Sequence, residues 1–136
     1  MNVSFYGHVR QYHGIRGEID ANISRVLESG QYVMGPMLKQ FEAEFAAYTG
    51  KKYAIGVGNG TDAISLTVLA LGLQPGDEII THANTFFATA EAIWIAGCKA
   101  VLVDCDETTR CIDPKAVAAA ITPRTRAIIP VHLYGQ

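Results

Sequence analysis

The 136-residue sequence predicts an α/β fold built on a parallel sheet. From residue 52 onward, short β-prone runs alternate with helical stretches, and runs that are apolar at nearly every position are typical of strands covered on both faces. The stretches between these runs are long enough to hold crossover helices, which join parallel strands through right-handed connections. Together these two observations place the chain in the α/β class.

The chain before residue 52 is predicted to be helical. Apolar residues recur at spacings of three and four over residues 12–29, so this stretch should form an amphipathic helix that Gly30 ends. A second helix is expected to begin at Pro36, because proline suits the first helical position, and to stop at Gly50.

The remaining elements follow in order along the chain. Strands are expected at residues 53–57, 78–81, 100–103 and 127–131, and helices near residues 61–72, 87–96 and 114–121. Gly72 and Gly97 should close helices, and Asp113 should cap the last one. We therefore divide the chain into an N-terminal helical segment, residues 1–51, and the first part of an α/β domain, residues 52–136. No helix follows the fourth strand, so this domain is expected to be incomplete.

Composition and charge argue against several classes of protein. A hydrophobic fraction of 49% with 18% charged residues is typical of a globular domain. A net charge of −2 offers no basic surplus for nucleic acid, so none is expected as a partner. No signal-peptide pattern or membrane-spanning run is found, which predicts a cytoplasmic protein without a membrane partner. Cys98, Cys105 and Cys111 are odd in number and lack metal-ligand spacing, so we expect reduced thiols and no metal.

The loop Gly58-Asn59-Gly60-Thr61-Asp62 is the first candidate site, since ligands of open parallel sheets bind beyond the carboxyl ends of the strands. It opens a predicted helix, where free backbone N–H groups and the positive end of the helix dipole can hold a phosphate. A glycine turn that serves backbone geometry alone is the alternative. A dinucleotide fingerprint is disfavoured, because the next strand does not end in an acidic residue.

A second candidate loop carries Phe86 and Phe87 directly after Thr85. One of the two rings could stack on a flat ligand, and the alternative is that both rings lie in the core. Combined with the first loop, this pattern indicates a planar phosphorylated ligand, which is the chemistry of pyridoxal 5′-phosphate.

Other candidate residues carry a weaker signal. His82 and His132 lie at predicted strand ends, where a hydrogen bond within the loop and a catalytic role both stay open. Asp104, Asp106 and Asp113 lack the spacing of an EF-hand, so solvated loop positions are favoured over a metal site.

Several longer blocks resemble one known family. They are Gly30-Gln31-Tyr32-Val33-Met34-Gly35-Pro36, Val57-x-Asn59-Gly60-Thr61-Asp62-Ala63, Pro75-Gly76-Asp77-Glu78-Ile79-Ile80, Thr85-Phe86-x-Ala88-Thr89-Ala90 and Ile129-Pro130-Val131-His132-Leu133-Tyr134-Gly135-Gln136. In this order and at these distances they resemble the DegT/DnrJ/EryC1/StrS family of sugar aminotransferases, over nearly the whole chain.

The resemblance implies a three-layer, fold type I enzyme that depends on pyridoxal 5′-phosphate. Such an enzyme moves an amino group, usually from glutamate, onto a nucleotide-linked keto sugar in the biosynthesis of polysaccharide, antigen or antibiotic sugars, and works as a homodimer when complete. By position, Gly60, Thr61 and Asp62 would form the phosphate-binding turn, with the Asp62 carboxylate turned away from the phosphate. Phe86 would stack on the pyridine ring.

The same resemblance implies that no catalytic residue lies in this chain. The aspartate that pairs with the pyridinium nitrogen and the Schiff-base lysine are expected beyond residue 136, so this part should be inactive alone. None of the five lysines is predicted at a strand's carboxyl end. Two alternatives stay open: a pyridoxamine-dependent sugar dehydratase of the same family, and a truncated, non-catalytic module that binds a phosphorylated ligand.

Overall fold

A computed structural model describes residues 6–136. Residues 1–5, which belong to the stretch without a predicted secretion signal, lie outside the described residues. The elements in chain order are α1 (His8–Ser29), α2 (Pro36–Thr49), α3 (Gly60–Ala70), β1 (Glu78–His82), α4 (Ala88–Ile95), β2 (Lys99–Val103), α5 (Pro114–Ala120) and β3 (Thr125–Ile129). They fall into two compact units, which divide between Gly56 and Val57.

The first unit holds the two predicted N-terminal helices. Gly30 and Gly50 follow them with φ of 64° and 65°, a left-handed conformation that glycine adopts without strain, so both predicted ends are confirmed. Helix α1 begins four residues before the predicted start and is kinked at Ile15, whose φ of −124° and ψ of 15° are not helical. None of the helices within residues 6–136 is long and apolar enough to cross a membrane.

The strand predicted at residues 53–57 is wrong, since the described backbone there is irregular. A strand needs a partner for its N–H and C=O groups, and here the N–H of Gly56 is donated to the carboxylate of Glu42 on α2 at 2.7 Å. A Cβ on Gly56 would lie 2.5 Å from the Leu38 side chain, which shows how closely α2 approaches this backbone. The described sheet therefore has three strands instead of four.

The three strands of the second unit are parallel, as predicted, and lie in the order β2-β1-β3. Strand β1 is central, and every residue of it is buried. Strands β2 and β3, at the edges of the described sheet, are only partly buried, so coverage on both faces holds for β1 alone. Strand β3 starts two residues earlier than predicted and ends at Ile129, before Pro130, which has no N–H to donate.

One face of β1 packs against two helices. Ile79 forms a buried cluster with Val68 of α3, Ile93 of α4 and Cys98, and each such buried aliphatic side chain stabilises the fold by roughly 2 kcal/mol. Because side chains alternate along a strand, Thr81 shares the face of Ile79, and Ile80 and His82 point to the opposite face. The first residues of α3 and α4, Gly60 and Ala88, lie at the edge of the sheet where the strands end.

The opposite edge of the sheet carries a charge cluster around Glu78, a buried residue at the start of β1. Its carboxylate accepts hydrogen bonds from the Thr122 hydroxyl at 2.6 Å, from Arg124 at 2.9 Å and from Lys99 at 3.2 Å. The Thr122 hydrogen bond is the main cause that lowers the pKa of Glu78 to about 2, followed by the Arg124 hydrogen bond. Lys99 is exposed and forms an ion pair with Glu78.

Candidate functional site

Three segments of the second unit line a cavity of about 570 Å³ at the carboxyl edge of the sheet. The start of α3 contributes Gly60 and Thr61, the loop after β1 contributes Phe86, and the segment after β3 contributes Pro130 and His132. Because β1 and β3 are neighbouring parallel strands, their carboxyl ends meet at this edge. The position is the one that ligands of open parallel sheets take.

The start of α3 is a capped helix with two N–H groups left over. Asn59 is the N-cap: its side-chain oxygen accepts from the N–H of Asp62 at 2.9 Å, and its carbonyl accepts from that of Ala63 at 3.1 Å. A helix start leaves four such groups unpaired, so the N–H groups of Gly60 and Thr61 keep no acceptor in the described part of the chain. They lie at the positive end of the helix dipole, a donor set that suits a phosphate.

Asp62, one of the four predicted site residues, does not line the cavity. Its carboxylate accepts a hydrogen bond from the Asn59 amide nitrogen at 3.1 Å. The same carboxylate occupies the space beside Gly58, where an added Cβ would lie 2.7 Å from its Oδ2. Asp62 is thus folded back against the loop before the helix, and a side chain at Gly58 would require its carboxylate to move.

Phe86 reaches the cavity from a tight turn after β1. The N–H of Thr85 is donated to the carbonyl of Ala83 at 3.0 Å, and the hydroxyls of Thr85 and Thr89 lie 2.9 Å apart. The Phe86 side chain lines the cavity with 75% of its surface exposed, whereas Phe87 lines a separate groove beside Trp94. The alternative that both phenylalanines lie in the core is therefore wrong.

The third wall comes from the turn after β3. The Thr81 hydroxyl is donated to the carbonyl of Ile129 at 2.8 Å, which ties β1 to β3 where the cavity begins. In the turn, the Nδ1 atom of His132 is hydrogen bonded to the backbone carbonyl of Gln136, and the N–H of Gly135 to that of His132 at 3.0 Å. Of the two strand-end histidines, His132 is the one that lines the cavity.

His82 behaves differently from the expectation of a loop residue. It is fully buried as the last residue of β1, and neither ring nitrogen has a hydrogen-bond partner among the described residues. By strand alternation it lies on the face away from α3 and α4. His82 is thus a packed sheet residue that does not contribute to the cavity wall.

The acidic loop residues Asp104, Asp106 and Asp113 hold the backbone of their own turns. Each carboxylate accepts backbone N–H groups from residues one to three positions later in the chain. The backbone N–H of Thr109 is the main cause of a lowered pKa at Asp106. No group of three or more potential metal-ligating side chains is found within residues 6–136.

The threonine pair was missed by reasoning from the sequence. Thr85 and Thr89 line the cavity together with Phe86. Their spacing of four residues around the helix start was the available signal, because it brings two side chains onto one face of a helical turn. In the sequence analysis, Thr85 and Thr89 were noted only as members of one of the blocks that resemble the family.

A sequence profile of the DegT/DnrJ/EryC1/StrS aminotransferase family matches residues 13–136. The chain belongs to this family. This match confirms the resemblance predicted from the sequence, and it includes all three segments that line the cavity.

Similar proteins include enzymes and solved structures. The UDP-2-acetamido-2-deoxy-3-oxo-D-glucuronate aminotransferase of Pseudomonas aeruginosa is 48% identical over 134 residues, which are 98% of this chain and 37% of that protein. The crystal structure of S. venezuelae DesV in complex with a ketimine intermediate superposes with a TM-score of 0.89 at 48% identity, over 93% of this chain and 34% of that one. These matches confirm the predicted α/β fold of the family.

A dehydratase is also similar to this chain. The E. coli GDP-4-keto-6-deoxy-D-mannose-3-dehydratase with bound hydrated PLP superposes with a TM-score of 0.79 at 37% identity, over 83% of this chain and 31% of that one. The chain thus spans about a third of the length of the relatives that it matches.

Proposed function

We propose that the protein carrying this chain is a pyridoxal-phosphate-dependent aminotransferase that moves an amino group, from a donor such as glutamate, onto a nucleotide-linked keto sugar. The observation that supports this most is a single cavity at the carboxyl edge of the sheet, which joins an open helix start to an exposed aromatic ring. In a member of this family, those are the two contacts that a flat, phosphorylated cofactor needs.

The phosphate would be held at the start of α3. The N–H groups of Gly60 and Thr61 and the Thr61 hydroxyl would donate to its oxygens, and hydrogen bonds to a charged acceptor are stronger than neutral ones. The negative Asp62 side chain would not oppose this binding, because Asn59 holds it outside the cavity wall. Asp62 therefore acts by keeping the helix start in shape, and not as a direct phosphate ligand.

The ring would be positioned by Phe86. An aromatic side chain favours an offset stacked arrangement with a flat heteroaromatic ring, which fixes the plane of the ring and excludes water from one of its faces. The hydrogen-bonded Thr85 and Thr89 hydroxyls hold the turn on which Phe86 is carried. When bound, the cofactor supplies an electron sink for proton removal at the carbon that carries the amino group.

The covalent chemistry would come from residues outside this chain. The lysines here are Lys39, Lys51, Lys52, Lys99 and Lys115, and none of them lines the cavity. We place the Schiff-base lysine and the aspartate that pairs with the pyridinium nitrogen after residue 136. The family resemblance also supports a cytoplasmic homodimer.

A sugar dehydratase is the second candidate, because a dehydratase superposes on 83% of this chain at 37% identity. The test uses the complete protein that carries this chain, loaded with pyridoxal phosphate and supplied with glutamate and nucleotide-linked 3-keto and 4-keto sugars. An aminotransferase yields an amino sugar and an equal amount of 2-oxoglutarate. Loss of water from the sugar without formation of an amino sugar would contradict the proposal and favour the dehydratase.

A further inference from the structure

We draw no further inference here: the strongest candidate, the apolar groove that the exposed rings of Phe87 and Trp94 on α4 line beside the start of β2, carries nothing, because nothing in the part of the chain that the structure describes shows what covers it.

Discussion

Asn59 contacts Asp62 through both atoms of its amide: the oxygen accepts the N–H of Asp62 at 2.9 Å, and the nitrogen donates to its carboxylate at 3.1 Å. The first contact caps α3, and the second keeps a negative charge away from the cavity. One side chain thus caps the helix and holds the Asp62 carboxylate, and the proposed phosphate site depends on both contacts.

Asn59→Ala removes both contacts and should lower the free energy of unfolding by about 1 kcal/mol, which is the usual cost of losing an N-cap. It should also weaken pyridoxal phosphate binding, because the Asp62 carboxylate is freed. Asn59→Ser is the matched control, since serine caps the helix but cannot donate to Asp62 in the same way. Urea denaturation and cofactor titration should separate the two losses, and equal behaviour of the two variants in both assays would contradict this division of tasks.

Gly58→Ala tests the close approach of Asp62 to the loop. The added Cβ would lie 2.7 Å from the carboxylate, so the carboxylate must move, and we expect weaker cofactor binding. The double variant Gly58→Ala, Asp62→Ala should recover most of that binding, because no charge is left to be displaced. Gly17→Ala on α1, where an added Cβ meets nothing within 4 Å, serves as the control. Failure of the double variant to recover would mean that Gly58 is needed for another reason.

Glu78 should make stability depend on acid pH. Its pKa is lowered to about 2 in the folded chain, chiefly by the hydrogen bond from Thr122, from an ordinary value of 4.5. The folded state therefore binds fewer protons, so this stabilisation is present above about pH 4.5 and is lost as the pH falls towards 2. Denaturation at several pH values between 7 and 2.5 should show a steeper decline for the parent than for Glu78→Gln. Glu107→Gln, on an exposed loop, should decline like the parent.

The buried His82 offers a test of stability outside the site. Two polar atoms without partners make burial costly, so His82→Leu should be neutral or stabilise the fold by about 1 kcal/mol. His82→Asn, which keeps polar atoms in a smaller side chain, should destabilise it. Urea denaturation measures both variants. Strong destabilisation by leucine would show that the ring nitrogens have a partner in the complete protein.

Local signals made much of the fold predictable. Pro36, Gly30 and Gly50 act within one helical turn, so their roles can be read from neighbouring residues. The strand predicted at residues 53–57 is wrong because strand formation depends on a distant partner strand. The N–H of Gly56 instead binds the carboxylate of Glu42, fourteen residues away. The apolar composition of this stretch does not indicate whether its backbone groups bind a neighbouring strand or a helix side chain.

The candidate site was also predictable only in part. Gly60 and Thr61 could be proposed because a loop-to-helix start has a short sequence signature, and Phe86 because an aromatic ring at a helix start can stack on a flat ligand. The position of Asp62 against Gly58 and the contact of His132 with Gln136 depend on side-chain directions that spacing does not give. The burial of His82 depends on which face of β1 is covered, which sequence periodicity left open because every residue of that strand is buried.

The most direct test of the central claim is the affinity of the complete protein for pyridoxal phosphate in Thr61→Val and Phe86→Ala. Thr67→Val, an exposed threonine of α3 that does not line the cavity, is the control. The account predicts that both site variants bind the cofactor at least several-fold more weakly, through a lost phosphate hydrogen bond in one and a lost ring contact in the other. Parent-like affinity in both variants, with the control also unchanged, would contradict the placement of the cofactor in this cavity.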